Sequence, residues 1–494
     1  MGRIAGAAAA PVLPDGTVAA LCGVVGRAWL LTEPAALRAY ECDGLTGWRA
    51  VPLAVVLPGS TEEVAAVVRI LARDQIPFVA RGAGTGLSGG ALPCAEGVVI
   101  GLSRMRLILG VDLANERVTV QPGVTNLAVT EAVAAHGYRY APDPSSQQVC
   151  TIGGNVAENA GGAHCLKLGF TTHHVVGATL VRADGTVVRL GGAVLDPPGY
   201  DALGVVVGSE GTLGIVTEVV LRVVPAPAAV RTLVAAFAST AAAGEAVAAI
   251  IAAGVTPAAT EMMDRTAVEA VEAAVHPGYP PGEAVLLVEL DGSEVRCAEE
   301  AARVLACCRQ AGATACRLAA DPAERARLWR GRKAAFAAMG RVSSHYYVQD
   351  GVIPRTRLAE VLEAIHGLEL EFRLRVANVF HAGDGNLHPL VLYDDGQPGE
   401  RQRAEACATR ILDACLAVGG SLTGEHGVGR DKACLMPKQF SVSDQQVMHR
   451  LRRAFDPAGL CNPGKVLPTP RLCGEVPGIY RPHPVERAGL AERW

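Results

Sequence analysis

The chain has 494 residues, more than one hydrophobic core normally serves, so two or three domains are expected. Half of the residues are hydrophobic and only 4% are aromatic, which is typical of α/β proteins and unlike disordered chains. The formal net charge is −4 and no basic stripe interleaved with aromatic residues occurs, which argues against a nucleic-acid partner.

The 14 cysteines are scattered, and no pair has C-x-x-C spacing. This pattern favours reduced thiols in a cytoplasmic protein and argues against an iron–sulfur cluster held by this chain. Prolines interrupt the apolar run of the first residues, MGRIAGAAAAPVLPDG, so no signal peptide is predicted. The longest apolar stretch, residues 232–255, contains Gly and Glu and predicts a strand and a helix rather than a transmembrane segment.

The first half of the chain predicts a unit of strands and helices. Residues 51–90 indicate strand, helix, strand and loop, and Ser60 followed by Glu63 is a capping-box signature for the helix. Short β-rich runs and a helix over 125–137 follow. A long irregular region is then expected over 141–164.

A second unit is predicted after Pro225 and Pro227, where strands and helices alternate again. A helix rich in arginine begins near Asp321, and a last helical region covers 441–455. The expected boundaries are 1–47 for an N-terminal segment, 48–226 for the first domain, 227–440 for the second, 441–470 for a C-terminal helical segment and 471–494 for a tail.

The stretch GTGLSGG (84–90) satisfies the pattern G-x-G-x-x-G, which in Rossmann proteins opens a helix whose N-terminus binds a pyrophosphate. A β-rich run follows here instead of a helix, so a Rossmann site is not predicted. A loop without side chains can still turn its backbone N–H groups toward an anion. Two further glycine-containing loops, TIGGNVAENAGG (151–162) and VGSEGTLGIVTEV (207–219), favour phosphate binding over a merely flexible turn.

Four motifs carry a resemblance to a known family: PFVARGAGTGLSGG, PDPSSQQVCTIGGNVAENAGG, GYDALGVVVGSEGTLGIVT and the closing NPGK. From about residue 48 to 468 the chain resembles the vanillyl-alcohol oxidase superfamily, and within it the FAD-linked subunit of bacterial glycolate oxidase and the D-lactate and D-2-hydroxyglutarate dehydrogenases. The resemblance implies an α+β fold. A two-subdomain FAD-binding domain of the p-cresol methylhydroxylase type would occupy 48–226, an α/β cap domain with an antiparallel sheet 227–440, and a segment that contacts FAD 441–470.

The resemblance also implies a cofactor site, in which the glycine loop cradles the pyrophosphate. The implied FAD-binding residues are Arg81, Gly82, Ala83, Gly84, Thr85, Gly86, Gly89, Gly90, Pro144, Ser145, Thr151, Gly153, Gly154, Asn155, Asn159, Gly161, Glu210, Gly214, Ile215 and Asn462. Members that attach FAD covalently often use a histidine in or near the glycine loop, and residues 78–90 contain none. His164 is nearby in sequence, but noncovalent FAD is expected.

Two histidine-containing loops predict a metal site. His381 and His388 flank the turn of HAGDGNLHP, and SLTGEHGVGR places Glu425 beside His426. Two imidazoles and a carboxylate are common ligands of a divalent cation such as zinc, manganese or iron. The spacing of the two histidines alone fits a structural role equally well. In the resembled family these motifs supply metal ligands and a base, which implies His381, His388 and Glu425 at the metal, His426 as the base and Asn386 near the substrate.

The substrate carboxylate also needs a partner, and the family position implies Arg332, whose guanidinium fork matches a carboxylate. The alternative is a solvated helix face. Three departures from the D-2-hydroxyglutarate dehydrogenase pattern argue against a dicarboxylate: Phe336 replaces a hydroxyl residue, Tyr346 and Tyr347 stand where a lysine is expected, and Pro389 follows His388. A small monocarboxylate such as glycolate or D-lactate is favoured.

The leading hypothesis is FAD-dependent oxidation of a small D-2-hydroxy acid by hydride transfer to flavin N5, with a metal that assists loss of the hydroxyl proton and a histidine base. The resemblance implies an iron–sulfur subunit and a second FAD-domain subunit as partners, and any inner-membrane association would be peripheral and through them. A stand-alone D-lactate or D-2-hydroxyglutarate dehydrogenase is an alternative. Outside this class, one alternative is a metal-dependent hydrolase, which would be colourless. Another is a flavin-binding subunit without catalysis, which would require that the metal-ligand and base residues be replaced, and they are intact.

Overall fold

The computed structural model describes residues 12–192, 194 and 198–469, and its first part is a small sheet covered by helices. This part contains α1 (Asp15–Val25), β1 (Leu30–Leu31), α2 (Pro34–Leu37), β2 (Ala54–Val56), α3 (Thr61–Arg73), β3 (Phe78–Arg81) and β4 (Val98–Gly101). The strand order is β1-β2-β4-β3, with only β1 antiparallel to its neighbour. The predicted N-terminal segment therefore contributes an edge strand to this sheet.

Helix α3 begins where the sequence predicts. The hydroxyl of Ser60 accepts the backbone N–H of Glu63 at 3.2 Å, and the Glu63 carboxylate accepts the N–H of Gly59 at 2.7 Å. The apolar face of the helix, which includes Val64 and Leu71, is fully buried in the core of the first sheet. Because the glycine loop leads from β3 into β4 without a helix, the exclusion of a Rossmann site is correct.

A second, antiparallel sheet follows in the order β5-β6-β10-β8-β9. The elements of this part are β5 (Ile108–Asp112), β6 (Arg117–Val120), α4 (Asn126–Ala134), β7 (Tyr138–Arg139), α5 (Ile152–Glu158), α6 (Cys165–Leu168), β8 (Val175–Val181), β9 (Val187–Gly191), α7 (Ala202–Val206), β10 (Ile215–Arg222) and β11 (Val224–Pro225). Strands β7 and β11 form a separate antiparallel pair.

The expected irregular region over 141–164 is wrong in its second half, because α5 lies there. Thr151 caps this helix by accepting the N–H of Gly154 at 3.4 Å, and Asn159 ends it in the left-handed conformation at φ 51°. Gly153 and Gly154 lower the intrinsic helix propensity of the first turn, so the sequence does not predict a helix here. The capping residues and the tertiary structure stabilise it nevertheless.

The later part of the chain is built on a seven-stranded antiparallel sheet in the order β15-β12-β14-β13-β17-β18-β16. Its elements are β12 (Ala229–Phe237), α8 (Thr240–Ala252), β13 (Ala259–Asp264), α9 (Arg265–Val275), β14 (Ala284–Gly292), α10 (Glu294–Gln310), β15 (Ala313–Leu318), α11 (Pro322–Ala338), β16 (His345–Val348), α12 (Leu358–Phe372), β17 (Val376–His381), β18 (Pro389–Tyr393) and α13 (Glu400–Ala417). This is the antiparallel cap sheet that the sequence predicts.

Helices cover both faces of the seven-stranded sheet. Residues of α8, α10, α12 and α13 share one core cluster with alternate strand residues such as Leu233 and Phe237. The intervening residues, such as Val234 and Ala236, pack with α9 and α11 on the opposite face. Since side chains of a strand alternate between faces, strands buried on both sides are apolar at nearly every position.

The C-terminal region contains α14 (Met436–Gln439) and α15 (Val442–Phe455) and then returns to the first sheet. Phe78 donates its N–H to the carbonyl of Leu460 at 2.9 Å, and its own carbonyl accepts the N–H of Asn462 at 2.8 Å. Residues 460–462 thus line the edge of β3. The predicted domain boundaries stay predictions, and the tail 471–494 lies outside the described residues.

Among the residues that the structure describes, twelve cysteines are free, whereas Cys434 is disulfide-bonded, which departs from the predicted reduced thiols. Within the described ranges no helix combines the length and apolar character needed to cross a bilayer.

Candidate active site

A cleft with a volume of about 260 Å³ runs from the glycine loop of the first domain to the cap domain. Its walls come from the loops at 81–91, 144–160 and 206–216, and Phe336, Glu425 and His426 line its cap-domain end. One cleft therefore joins the predicted cofactor loops to Glu425 of the predicted metal site and to the predicted base His426, whereas His381 and His388 are not among its lining residues.

Most of the residues predicted to bind FAD line this cleft. Those that do are Arg81, Gly82, Ala83, Gly84, Thr85, Gly86, Gly90, Pro144, Ser145, Thr151, Gly153, Gly154, Asn155, Glu210, Gly214 and Ile215. The remaining four, Gly89, Asn159, Gly161 and Asn462, are not among the lining residues. Their positions give them supporting contacts instead.

Two of the four hold loops with their side chains. The side-chain carbonyl of Asn159 accepts the N–H of Thr172 at 2.9 Å. The amide of Asn462 donates to the carbonyls of Gly90 and Glu210, at 2.8 and 2.7 Å. Asn462 therefore joins the ends of two cleft loops through the C-terminal segment.

The two glycines lie where backbones approach closely. A Cβ on Gly161 would come within 2.8 Å of Oε2 of Glu425, and one on Gly89, at φ 76°, within 3.3 Å of the Arg430 side chain. A side chain at Gly161 would therefore push the FAD-domain loop away from the metal site.

The glycine loop fits a bound dinucleotide. The backbone N–H groups of residues 83–88 donate to no acceptor within the described residues, and Gly86 has open space where a Cβ would lie. Successive unpaired amides form an anion-binding concavity. His164, the histidine nearest the loops in sequence, does not line the cleft, and its ring nitrogens face Asp143 at 2.8 Å and Glu289 at 3.4 Å.

His381 and His388 lie at the two ends of a tight hairpin between β17 and β18. Gly385 in this turn has φ 85°, and a Cβ there would lie 2.1 Å from the carbonyl of Ile353, so glycine is required. The Nε2 atoms of His381 and His388 lie 3.4 and 3.3 Å from Oε1 of Glu425. The turn thus brings both imidazoles to one carboxylate, as predicted.

This cluster fits a divalent metal ion. Two ligands of a tetrahedral zinc ion with bonds of about 2.0–2.2 Å are separated by about 3.4 Å, close to the observed spacing of the donors. The His388 side chain is 2% exposed, and neither ring nitrogen makes a well-formed hydrogen bond with the described residues. Burial opposes ionisation of Glu425, but its contacts with the two histidines outweigh burial and hold its pKa well below the usual value.

Glu261 supports the cluster from the neighbouring strand. It pairs in register with His381 across β13 and β17, and its carboxylate accepts the ring N–H at Nδ1 of His381 at 2.8 Å. A carboxylate behind a histidine ligand fixes the ring orientation and leaves Nε2 for the metal. The sequence analysis missed Glu261, since a single acidic residue in ATEMMD carries no motif.

Arg332 is not on a solvated helix face, so that alternative is wrong. The residue lies on the inner side of α11 with 5% of its surface exposed, and its Nη2 lies 2.7 Å from Oε2 of Glu261. Its Nε is buried and has no partner within the described residues. While Nη2 pairs with Glu261, the N–H group at Nε therefore stays available to bind a substrate.

His426 lies parallel to His388, with ring centroids 4.8 Å apart, and its Nε2 is 3.9 Å from Oε1 of Glu425. Its side chain is 12% exposed and faces the cleft. Burial lowers the pKa of His426 to about 4, against an opposing effect of Asp350. The imidazole is therefore a neutral proton acceptor at pH 7.

The other residues predicted to lie near the substrate differ in their burial and contacts. Asn386 is 2% exposed, and its side-chain oxygen has no partner within the described residues. Phe336 lines the cleft, and its ring forms a T-shaped pair with that of His388 at 5.9 Å between centroids. Tyr346 is 36% exposed, and the hydroxyl of Tyr347 donates to Asp431.

Comparison with known proteins places this site in a family. A model described as "FAD binding domain" matches residues 52–191, and one described as "FAD linked oxidases, C-terminal domain" matches 226–466. The glycolate oxidase subunit GlcD of Escherichia coli (strain K12) is 51% identical over 445 residues, which cover 90% of this chain and 89% of the relative. GlcD of Bacillus subtilis (strain 168) is 37% identical, covering 86% and 91%, and a D-lactate dehydrogenase of Anaerostipes hadrus is 34% identical, covering 85% and 90%.

Two solved structures share the fold. The 4-ethylphenol oxidase from Gulosibacter chungangensis has a TM-score of 0.77 at 19% identity, covering 92% of this chain and 99% of its own. A substrate-bound p-cresol methylhydroxylase has a TM-score of 0.74 at 19% identity, covering 92% and 96%. The chain belongs to the FAD-linked oxidase family that includes the GlcD subunits, and it is an FAD-dependent oxidoreductase. The predicted fold and the FAD cofactor are confirmed.

Proposed function

We propose that this protein oxidises a small D-2-hydroxy acid, glycolate or D-lactate, to the 2-oxo acid. The observation that carries the proposal is the cleft in which the cofactor loops meet a neutral histidine and Glu425, the carboxylate of a candidate metal cluster. Relatives named as glycolate oxidase subunits and as a D-lactate dehydrogenase support this substrate class.

The chain would hold both groups with residues already described. Bound FAD would supply the hydride acceptor, and a divalent cation held by His381, His388 and Glu425 would supply Lewis-acid stabilisation of negative charge on the substrate hydroxyl oxygen. Zinc, manganese and iron all suit this ligand set.

His426 would take the hydroxyl proton on Nε2, the ring nitrogen that faces the carboxylate of the cluster. A neutral imidazole is required for this step, and burial keeps it neutral at pH 7. Stacking on His388 fixes the ring plane, so little reorientation is needed before the proton moves.

Arg332 would orient the substrate carboxylate, and Asn386 would lie near the substrate. The buried Nε of Arg332 is an unsatisfied donor, and an unpaired buried donor is costly unless a ligand pairs with it. Nη2 stays with Glu261, so Arg332 would bind the substrate while it helps to hold the carboxylate behind His381.

Phe336 supports a small substrate. Its ring lies beside His388 at the cap-domain end of the cleft and offers no hydrogen bond to a second carboxylate. A D-2-hydroxyglutarate dehydrogenase is therefore less well supported than a glycolate or D-lactate enzyme. A metal-dependent hydrolase leaves the FAD-binding domain without a role.

The electrons would pass to a partner rather than to a cluster in this chain. Curated relatives are named as subunits, which supports an assembly with other chains, and we propose an iron–sulfur subunit and a second FAD-domain subunit. A peripheral position at the inner membrane through these partners, in an otherwise cytoplasmic protein, is part of the same proposal. A stand-alone D-lactate dehydrogenase is the alternative, and co-purification tests it.

The direct test is an absorption spectrum of the purified protein, followed by anaerobic addition of glycolate, D-lactate, L-lactate and D-2-hydroxyglutarate. A yellow protein that is bleached by glycolate or D-lactate, and much more slowly by L-lactate or D-2-hydroxyglutarate, supports the proposal. An FAD-loaded protein that none of the four acids bleaches would overturn it.

A further inference from the structure

Asp350 lies two residues after the end of β16 and is fully buried, with a side-chain exposure of 0%. It is not part of the cofactor site or of the three-residue metal cluster. Its carboxylate lies inside the turn that carries Glu425 and His426, and it contacts four consecutive residues of that turn.

The backbone of the turn is wrapped around this carboxylate. Oδ2 of Asp350 accepts the N–H groups of Gly424 at 3.0 Å, Glu425 at 3.2 Å and His426 at 2.8 Å. The hydroxyl of Thr423 donates to the same oxygen. Successive N–H groups that converge on an anion form a concavity whose shape depends on that anion.

Two further contacts tie Asp350 to its surroundings. Oδ1 lies 3.4 Å from Nε2 of His388, and Oδ2 lies 3.5 Å from Nζ of Lys432. Lys432 also donates to the carbonyl of Gly427 at 3.2 Å, so it spans the turn from the far side. Pairing and hydrogen bonds of this kind allow a carboxylate to stay ionised in the interior.

A second metal ion is the competing explanation, because donor atoms of Asp350, His388 and His426 lie within 4.8 Å of one another. Two observations disfavour it. The ammonium group of Lys432 already occupies the cationic position beside Asp350, and Oδ2 is surrounded by four N–H and O–H donors. The carboxylate is used to shape the turn.

We propose that Asp350 is a positioning residue that fixes both the carboxylate ligand Glu425 and the base His426 in their working orientation. This inference rests on the proposed function for the roles of those two residues, but not for the geometry of the turn. Replacing the carboxylate by an amide would leave one uncharged oxygen, with an NH2 group beside it, for three adjacent N–H groups and the Thr423 hydroxyl. The turn would therefore relax and both side chains would move together.

The test compares the wild-type protein with D350N and the matched control D264N, all loaded with FAD. Asp264 is also a buried cap-domain aspartate that accepts several N–H groups, from Ala267 and Asn378, but it does not touch the turn. Zinc affinity is measured against a chromophoric chelator, flavin bleaching at saturating substrate and zinc, and amide hydrogen exchange on peptides covering 421–428.

For D350N we expect full FAD content, zinc affinity lower by about 10–100-fold and bleaching slower by about 100-fold, because supporting partners of metal ligands and small misplacements have effects of this size. Exchange in 421–428 should accelerate in D350N and not in D264N, and zinc affinity of D264N should stay within about twofold of wild type. D350N with wild-type zinc affinity and wild-type exchange would overturn the proposal.

Failure of the proposed function is distinguishable. If no hydroxy acid bleaches the wild-type flavin, zinc affinity and hydrogen exchange still decide the role of Asp350, and if the wild type binds no zinc, exchange alone decides it. If D350N does not fold, T423V removes one donor to the carboxylate and should lower zinc affinity by about 3–10-fold. An unchanged T423V would then overturn the proposal.

Discussion

The carboxylate of Glu261 accepts the Nδ1 hydrogen of His381 at 2.8 Å across two paired strands of the cap sheet. The same carboxylate holds Nη2 of Arg332 at 2.7 Å. One buried acid therefore links a candidate metal ligand to the candidate partner of the substrate carboxylate, and under the proposed function it would couple metal binding to substrate orientation.

We expect E261Q to lower zinc affinity by about 10–100-fold, since the amide holds the His381 ring less firmly and cannot balance Arg332. FAD content should stay unchanged, because Glu261 does not line the cofactor loops. The measurement is competition with a chromophoric chelator. E289Q is the control, as Glu289 is equally buried on the adjacent strand β14 but pairs with Arg325 and His164. Equal losses of zinc affinity in both variants would contradict the specific role of Glu261.

Replacing the base should separate chemistry from cofactor binding. We expect H426N to slow anaerobic flavin bleaching by about 10²–10⁴-fold, the usual contribution of a general base, while the yellow colour remains. Stopped-flow absorbance at saturating substrate measures the rate. Loss of FAD from H426N, with normal bleaching of the remaining holoprotein, would show that the residue supports the cofactor instead.

Phe336 should limit the size and charge of the substrate. F336S removes the ring beside His388 and introduces a hydroxyl, so we expect the preference for glycolate over D-2-hydroxyglutarate, measured as the ratio of kcat/KM values, to fall by about tenfold or more. The fold loss in kcat/KM for glycolate should be smaller than the fold gain in kcat/KM for D-2-hydroxyglutarate. An unchanged ratio would remove Phe336 from the substrate pocket. F170S, at a phenylalanine that does not line the cleft, is the control.

The contact between the two domains should depend on pH through His164. Burial opposes protonation of His164, but Asp143 and Glu289 outweigh it and raise its pKa to about 10. A pKa that is raised on folding contributes its full stability at pH values below the unfolded pKa of about 6.5. This contribution is lost as the pH rises through the folded pKa. We therefore expect H164Q to lower the Tm most at pH 6 and progressively less toward pH 10. A Tm difference that is constant over this range would contradict the prediction.

Glu289 determines how the stability of the same contact between the domains changes at acidic pH. Burial opposes its ionisation, but hydrogen bonds from His164 and Arg325 hold its pKa at about 2. A lowered pKa contributes stability above the unfolded value of about 4.3, and that contribution is lost as the pH falls toward the folded value. Below about pH 4, the Tm of the wild-type protein should therefore fall more steeply with decreasing pH than the Tm of E289Q.

Features that act through the backbone or through adjacent residues were readable in the sequence. The glycine loop, the Ser60 cap and the Glu425–His426 pair each occupy one short stretch, and their chemistry follows from local geometry. The turn between His381 and His388 was also predicted, because Gly383 and Gly385 favour a loop or strand end over a helix. Helix α5 was missed, since its glycines contradict its type and only its capping residues indicate it.

What the sequence by itself determined was the cofactor class and the fold family, through the resemblance of its contiguous motifs to a known family, and the three metal candidates, which stand in two short motifs. Only the tertiary structure decided that Glu261 stands behind His381, that Asp350 lies inside the turn that carries Glu425 and His426, and that Arg332 is buried. These pairings join residues that are far apart in the chain, and strand register and helix packing bring them together. A single acidic residue in an apolar strand has no pattern of its own, so its partner becomes visible only when the sheet is assembled.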